Sequence, residues 1–150
     1  MQGELGLGET EIGNYQDAQA VLYKGKVAQI SAGVAHASAV TKEGRLLVWG
    51  SNRQNQLGYP SKLREVYRPV FFGGLIEGTS ITKEEGEEMK SHPKVYFDAT
   101  LGLQYKRVEC GSAQTVALVD KSPYLLIWGY GSHQAWGFPD LFHRDKPVHF

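Results

Sequence analysis

The chain has 150 residues, with Lys+Arg and Asp+Glu balanced at 16 each and a formal net charge of +0. That length allows one domain with a sizeable core, while the neutral balance excludes a broad basic field able to gather nucleic acid or an anionic lipid surface. The single cysteine, Cys110, excludes an internal disulfide and a thiolate zinc cluster, and it favours a reducing, intracellular setting.

Hydrophobic residues make up 41%, an ordinary share for a packed domain. The 18 glycines suit short strands joined by many tight turns. No apolar run reaches membrane-spanning length. The N-terminus shows no basic region followed by an apolar core.

In chain order, Met1-Gln2-Gly3-Glu4-Leu5-Gly6 comes first and matches Arg53-Gln54-Asn55-Gln56-Leu57-Gly58 position for position. Val27–Ile30 then alternates as a strand, leading to Gly33. His36–Val40 is small and apolar, which suits an inner strand where sheets crowd together. Lys42-Glu43-Gly44 is a turn, and Arg45–Trp49 reads as the returning strand of a hairpin ending in Trp49-Gly50. Gly58 closes this copy.

A second copy follows the same course. Val108 and Gly111 lead to Thr115–Val119, a turn at Asp120–Pro123, and Tyr124–Trp128 ending in Trp128-Gly129, with Gly137 beyond. A further short element recurs as Gln19-Ala20-Val21, Arg68-Pro69-Val70 and Lys146-Pro147-Val148. One supersecondary unit is therefore reused, and such units bury their apolar faces only by stacking on neighbours.

The interval from Leu57 to Trp136 exceeds that from Leu5 to Leu57, and the excess falls at 73–102. The insertion carries Glu77, Glu84, Glu85, Glu87, Glu88 and Asp98 against Lys83, Lys90 and Lys94. It reads as a solvated loop with at most a helical turn, opened by Thr82 and Glu85 as a capping box and kept short by Gly86 and Pro93. The resulting partition is a repeat tail at 1–18, a repeat at 19–67, a repeat at 68–145 containing the insertion, and the start of another at 146–150.

These residues resemble the repeat of the regulator of chromosome condensation family. The first copy carries the pattern at Gly33, His36, Ala39, Gly44, Val48, Trp49, Gly50, Asn52, Leu57 and Gly58. The second departs from it: Gln114 replaces the His, Gly131 the Asn and Trp136 the Leu. The resemblance implies an all-β fold, a partial seven-bladed β-propeller with about two full blades and blade fragments at both ends. A closed ring needs more than about 300 residues at this repeat length. The expectation is therefore a piece of a longer chain, or one completed by another chain.

Repeat position makes Gly33, His36, Trp49, Gly50, Leu57, Gly58, Gly111, Trp128, Gly129 and Gly137 the structural frame. His36 is expected to bond backbone, the two tryptophans to fill the blade core, and Cys110 to pack. Tyr59, Lys62, Arg64 and Arg68 read as a solvated loop. No nucleophile–base–acid set, phosphate loop or metal spacing stands out, so no cofactor is expected. Glu84, Glu85, Glu87, Glu88 and Trp136 are the candidate partner-binding residues, because rigid scaffolds carry their interactions on such excursions. The expected function is a non-catalytic interaction or scaffold module inside a larger assembly. The family resemblance adds guanine-nucleotide exchange on a small GTPase as an alternative, and chromatin association as a weaker one. The expected location is intracellular, in nucleus, cytoplasm or mitochondrion.

Overall fold

The computed structural model describes residues 3–8, 15, 18–59, 63–72, 104–121 and 125–130, and the backbone of 143–149. Among these there are eight strands and no helix. They are β1 (Val27–Ala32), β2 (His36–Thr41), β3 (Leu46–Ser51), β4 (Glu65–Phe71), β5 (Tyr105–Cys110), β6 (Gln114–Val119), β7 (Leu125–Tyr130) and β8 (His143–His149). They form two antiparallel four-stranded sheets, β1-β2-β3-β4 and β5-β6-β7-β8, each in simple meander order. The strands read from sequence are present; β1, β2, β3 and β7 run one or two residues further at their C-terminal ends, β6 starts one residue earlier, and Arg45 falls before β3. The helical turn expected near Thr82 lies outside the described residues.

The two sheets share one register. Ile30 pairs with Ala39 as Val108 pairs with Ala117, and His36 faces Gly50 as Gln114 faces Gly129. Both first strands shift register, between Val27 and Gln29 and between Tyr105 and Arg107. Both third strands shift again, between Val48 and Gly50 and between Ile127 and Gly129.

The bulge on the third strand requires glycine. Gly50 has φ 102° and Gly129 φ 108°, a region closed to side chains. A Cβ there would stand 2.6 Å from Ala35 O at Gly50 and 2.3 Å from Ala113 O at Gly129. That close approach lets the next residue donate to the same carbonyl, Ser51 N to Ala35 O at 2.7 Å and Tyr130 N to Ala113 O at 2.9 Å. The Trp-Gly pair is thus a core side chain followed by the bulge that returns the chain to the loop end.

The recurring Pro-Val element falls on the outer strands, Pro69-Val70 in β4 and Pro147-Val148 in β8. A sheet edge tolerates a residue without an N–H, so proline suits β4. The earliest copy of the element, Gln19-Ala20-Val21, forms no strand. It is held instead near the N-terminal turn, where Leu22 N donates to Gly6 O at 3.0 Å.

β2 and β3 are buried along their whole length, whereas β1 is largely exposed. One continuous core joins the sheets, including Leu46, Leu47, Trp49, Leu57, Val108, Leu126 and Trp128. Phe72, just past β4, stacks on Trp128 of the second sheet at 4.7 Å between centroids and meets Tyr105 edge-on at 6.3 Å.

Replacing Gly50 or Gly129 by Ala is expected to lower stability by about 2 kcal/mol each, through the strained φ and the clash with the loop carbonyl. Urea unfolding checks this as a lower midpoint at unchanged slope.

Candidate functional site

The residues able to do chemistry converge on the seam where β5 packs over β1 and β2. Gln29 grips the backbone of the opposite sheet with both ends of its amide. Its Oε1 accepts from Val108 N at 2.8 Å, and its Nε2 donates to Val108 O at 2.6 Å. Ser31 Oγ accepts from Cys110 N at 2.8 Å and lies 3.3 Å from Glu109 Oε2. The Cys110 thiol meets Ser38 Oγ at 2.9 Å and donates to Ser31 O at 3.6 Å. Burial pushes that thiol up from its ordinary value, with the serine hydrogen bonds opposing. At neutral pH it is a packed thiol and no nucleophile.

His36 stands deeper, 1% exposed. Its Nε2 lies 3.2 Å from Gln114 O and 3.0 Å from Thr115 Oγ1. Thr115 gives its one hydroxyl hydrogen to Gln56 O at 2.6 Å. It must therefore accept from His36, which places the imidazole hydrogen on Nε2. Nδ1 is then the bare nitrogen, buried with no hydrogen-bond partner. A second proton there would have no acceptor, and burial lowers the His36 pKa from 6.5 to about 4, the Gln114 carbonyl opposing. The ring rests on Gly33, where a Cβ would come within 2.4 Å of it.

The second copy keeps this packing with different chemistry. Gln114 fills the place of His36 and lies against Gly111, where a Cβ would meet its side chain at 2.7 Å. The tryptophans differ more. Trp49 Nε1 donates to Glu4 O at 3.0 Å. The equivalent carbonyl for Trp128 is that of Gln56, which already holds the Thr115 hydroxyl. Trp128 Nε1 is left buried without a partner. Ala37 stands where the second copy has Thr115, so the first copy has no such hydroxyl.

Asn52 organises the long loop between β3 and β4. Its Nδ2 donates to Tyr59 O at 3.0 Å and Leu63 O at 2.8 Å, and its Oδ1 accepts from Leu57 N at 3.0 Å. This corrects the reading of Tyr59 as part of a solvated loop. The ring is fully buried, and its hydroxyl donates to Phe71 O at 3.2 Å. Arg64 and Arg68 are exposed, but Arg68 stands within β4 and not in a loop.

At the loop end of the seam lies a shallow groove of about 280 Å³, lined by Val34, Ser51, Arg53, Gln54, Gln56 and Ser112 among others. Val34 is 78% exposed at its rim. Arg53 is ion-paired with Glu65 there. Residues 73–103 connect at the opposite end: Phe72 N bonds Leu46 O at 2.9 Å, and Tyr105 N bonds Gly44 O at 2.6 Å.

The structure thus brings Gly33, His36 and Gly111 together in the seam, and Trp49, Gly50, Leu57, Gly58, Trp128 and Gly129 into the frame around it. Glu84, Glu85, Glu87, Glu88, Trp136 and Gly137 lie outside the described residues. Sequence reading missed Gln29, Ser31 and Thr115. Their one signal was that the two copies disagree at those positions. Among the described residues no cluster of metal-ligating side chains occurs, and no helix is long and apolar enough to cross a membrane.

Two expectations follow. The unfolded chain binds a proton at His36 near pH 6.5 and the folded one near 4, so stability is fullest above 6.5 and falls as pH drops toward 4. The loss is on the order of 3 kcal/mol. His36→Gln, which installs the second copy's residue, should flatten this slope in urea titrations across that pH range. Gln29→Leu should cost about 1–2 kcal/mol, by stripping the cap from Val108 N–H and C=O. Thermal unfolding of the variant measures it.

A profile of the "Regulator of chromosome condensation (RCC1) repeat" matches residues 27–56. Human "RCC1 domain-containing protein 1" is 28% identical over 133 residues, covering 81% of this chain and 35% of the relative. The chain thus spans about a third of that protein's length. Human WBSCR16 superposes with a TM-score of 0.54 at 24% identity, covering 83% of this chain and 26% of that one. Prp20p of Saccharomyces cerevisiae does so with a TM-score of 0.51 at 16% identity, covering 82% and 25%. At these identities the structural likeness concerns the fold. The chain carries a regulator of chromosome condensation repeat on the fold of a partial β-propeller.

Proposed function

We propose that the chain is a non-catalytic protein-interaction module, a propeller segment working as a scaffold inside a larger chain or assembly. The observation that carries this is where its reactive groups are committed. His36 is held neutral between Gln114 O and Thr115, and Cys110 is held as a thiol between two serines. Both join one sheet to the other and neither faces an open cavity. What remains for partners is the two ends of the sheets. One end presents the groove beside Val34 and Arg53. At the other end the chain leaves at Phe72 and returns at Gln104; the sequence between them carries Glu84, Glu85, Glu87 and Glu88, whose charge suits a basic protein partner, and Trp136 stands in the worn part of the second copy. Neutral overall charge disfavours direct nucleic-acid contact. The single unpaired cysteine is in keeping with an intracellular location.

Exchange on a small GTPase is the second reading. Its support is the fold shared with Prp20p, a protein studied for its binding to Gsp1p and histones. Release of labelled GDP from a panel of small GTPases separates the two. The scaffold reading expects no acceleration by the intact protein, and clear acceleration of any member replaces it. In the same preparations, removing 80–90 or introducing Val34→Asp should weaken cross-linked protein partners by about tenfold or more. Undiminished binding after both changes would refute the assignment of these two ends.

A further inference from the structure

The end of the first sheet away from the groove gathers cations. Lys24 and Lys26 lead into β1, Lys42 lies in the turn between β2 and β3, and all three are exposed. Lys42 N donates to Lys26 O at 2.9 Å, which ties the two stretches together. Arg45 closes the same turn. Its N–H donates to Thr41 Oγ1 at 3.0 Å, and its carbonyl accepts from Thr41 N at 2.9 Å. Glu43 is the one carboxylate in these stretches, against the four cations.

An aromatic pair holds the Arg45 side chain. Its guanidinium carbon lies 3.4 Å from the centroid of the Phe71 ring, so the planar group is stacked on the end of β4. Tyr23 meets that ring edge-on at 6.3 Å between centroids. The phenol folds back over Gly25, where a Cβ would collide with its hydroxyl. The hydroxyl therefore lies over the residue between Lys24 and Lys26. Arg53 and Arg107 are each paired with a glutamate, whereas among the described residues no carboxylate pairs with Lys24, Lys26, Lys42 or Arg45. The Arg45 Nε is buried without a hydrogen-bond partner. What the stack leaves for a ligand is the terminal fork of two Nη atoms, fixed in plane and suited to two oxygens of one anion.

We propose that this corner binds a phosphoryl group carried by a partner protein, as phosphoserine or phosphothreonine. Arg45 is the bidentate anchor, the Tyr23 hydroxyl a further donor, and Lys24, Lys26 and Lys42 the surrounding positive charge. The donor set selects the ligand. A carboxylate offers two oxygens and one charge, which the Arg45 fork alone satisfies. A phosphoryl group offers three oxygens and about two charges, and so has use for the hydroxyl and the lysines as well. A nucleic-acid duplex calls for a long basic track, and the balanced charge of the chain supplies none. This goes beyond the scaffold reading: the groove and the acidic segment could bind nothing and the corner would still take a phosphopeptide.

The test uses the intact chain and a fluorescein-labelled peptide with one phosphoserine among glycines and serines, read by anisotropy. The phosphopeptide should bind, its unphosphorylated form should not, and a form with glutamate for phosphoserine should bind about tenfold more weakly. Arg45→Lys keeps the charge and loses the fork, and should weaken phosphopeptide binding by about tenfold. Lys42→Gln should weaken it by about threefold, the effect of one exposed charge. Arg64→Gln removes the same charge at the loop end and should change nothing. Lys42 lies in solvent, so Lys42→Gln carries the test if Arg45→Lys loses its far-ultraviolet strand signal. The proposal is overturned if the glutamate or unphosphorylated peptide binds as tightly as the phosphopeptide. It is also overturned if Arg64→Gln weakens binding as much as Lys42→Gln, or if vesicles of phosphatidylcholine with a phosphoinositide bind and the phosphopeptide does not.

Discussion

A four-stranded sheet has two edges, and its inner edge is where a neighbour must come closest. A second strand cannot pair there, because the neighbouring sheet packs face against it. The Gln29 amide resolves the conflict by offering one donor and one acceptor at the spacing of a peptide group. Everything else in the seam is placed by that grip. It sets β5 over β1 and β2, which brings Ser31 to Cys110 and Ser38 to the same thiol. It also delivers Gln114 O and Thr115 to His36. Two sheets with separate ladders then behave as one body with one core.

Much of the frame was legible because it rests on large or conformationally special residues. Trp49 and Trp128 recur with a glycine directly behind, and the bulge makes that glycine obligatory. Two copies in phase are enough to expose such a position. The seam was hidden for the opposite reason. Its residues differ between copies because each sheet meets a different neighbour, so comparing Gln29 with Arg107 or Ala37 with Thr115 shows only disagreement. Tyr59 was misread through its company of Lys62, Arg64 and Arg68. No local pattern reveals that Asn52 draws in the carbonyls of Tyr59 and Leu63, leaving the ring inward. That is a long-range fact, set by a side chain outside the cluster.

The worn second copy is better seen as a copy adapted to being gripped. Thr115 gives His36 an acceptor and donates to the Gln56 carbonyl, making a three-residue relay across the seam. Trp128 Nε1 has no hydrogen-bond partner, and its indole is stacked on Phe72.

The stacked Phe72 has one more consequence. It and Tyr105 bracket the segment that joins the sheets, and their rings meet at 6.3 Å. The two ends of that segment are pinned beside each other by aromatic packing, independent of whatever runs between them. Closing a longer flexible loop between ends already held together costs only about 0.6 kcal/mol for each doubling of its length, so the anchors rest on contacts of the two sheets and not on a short connection.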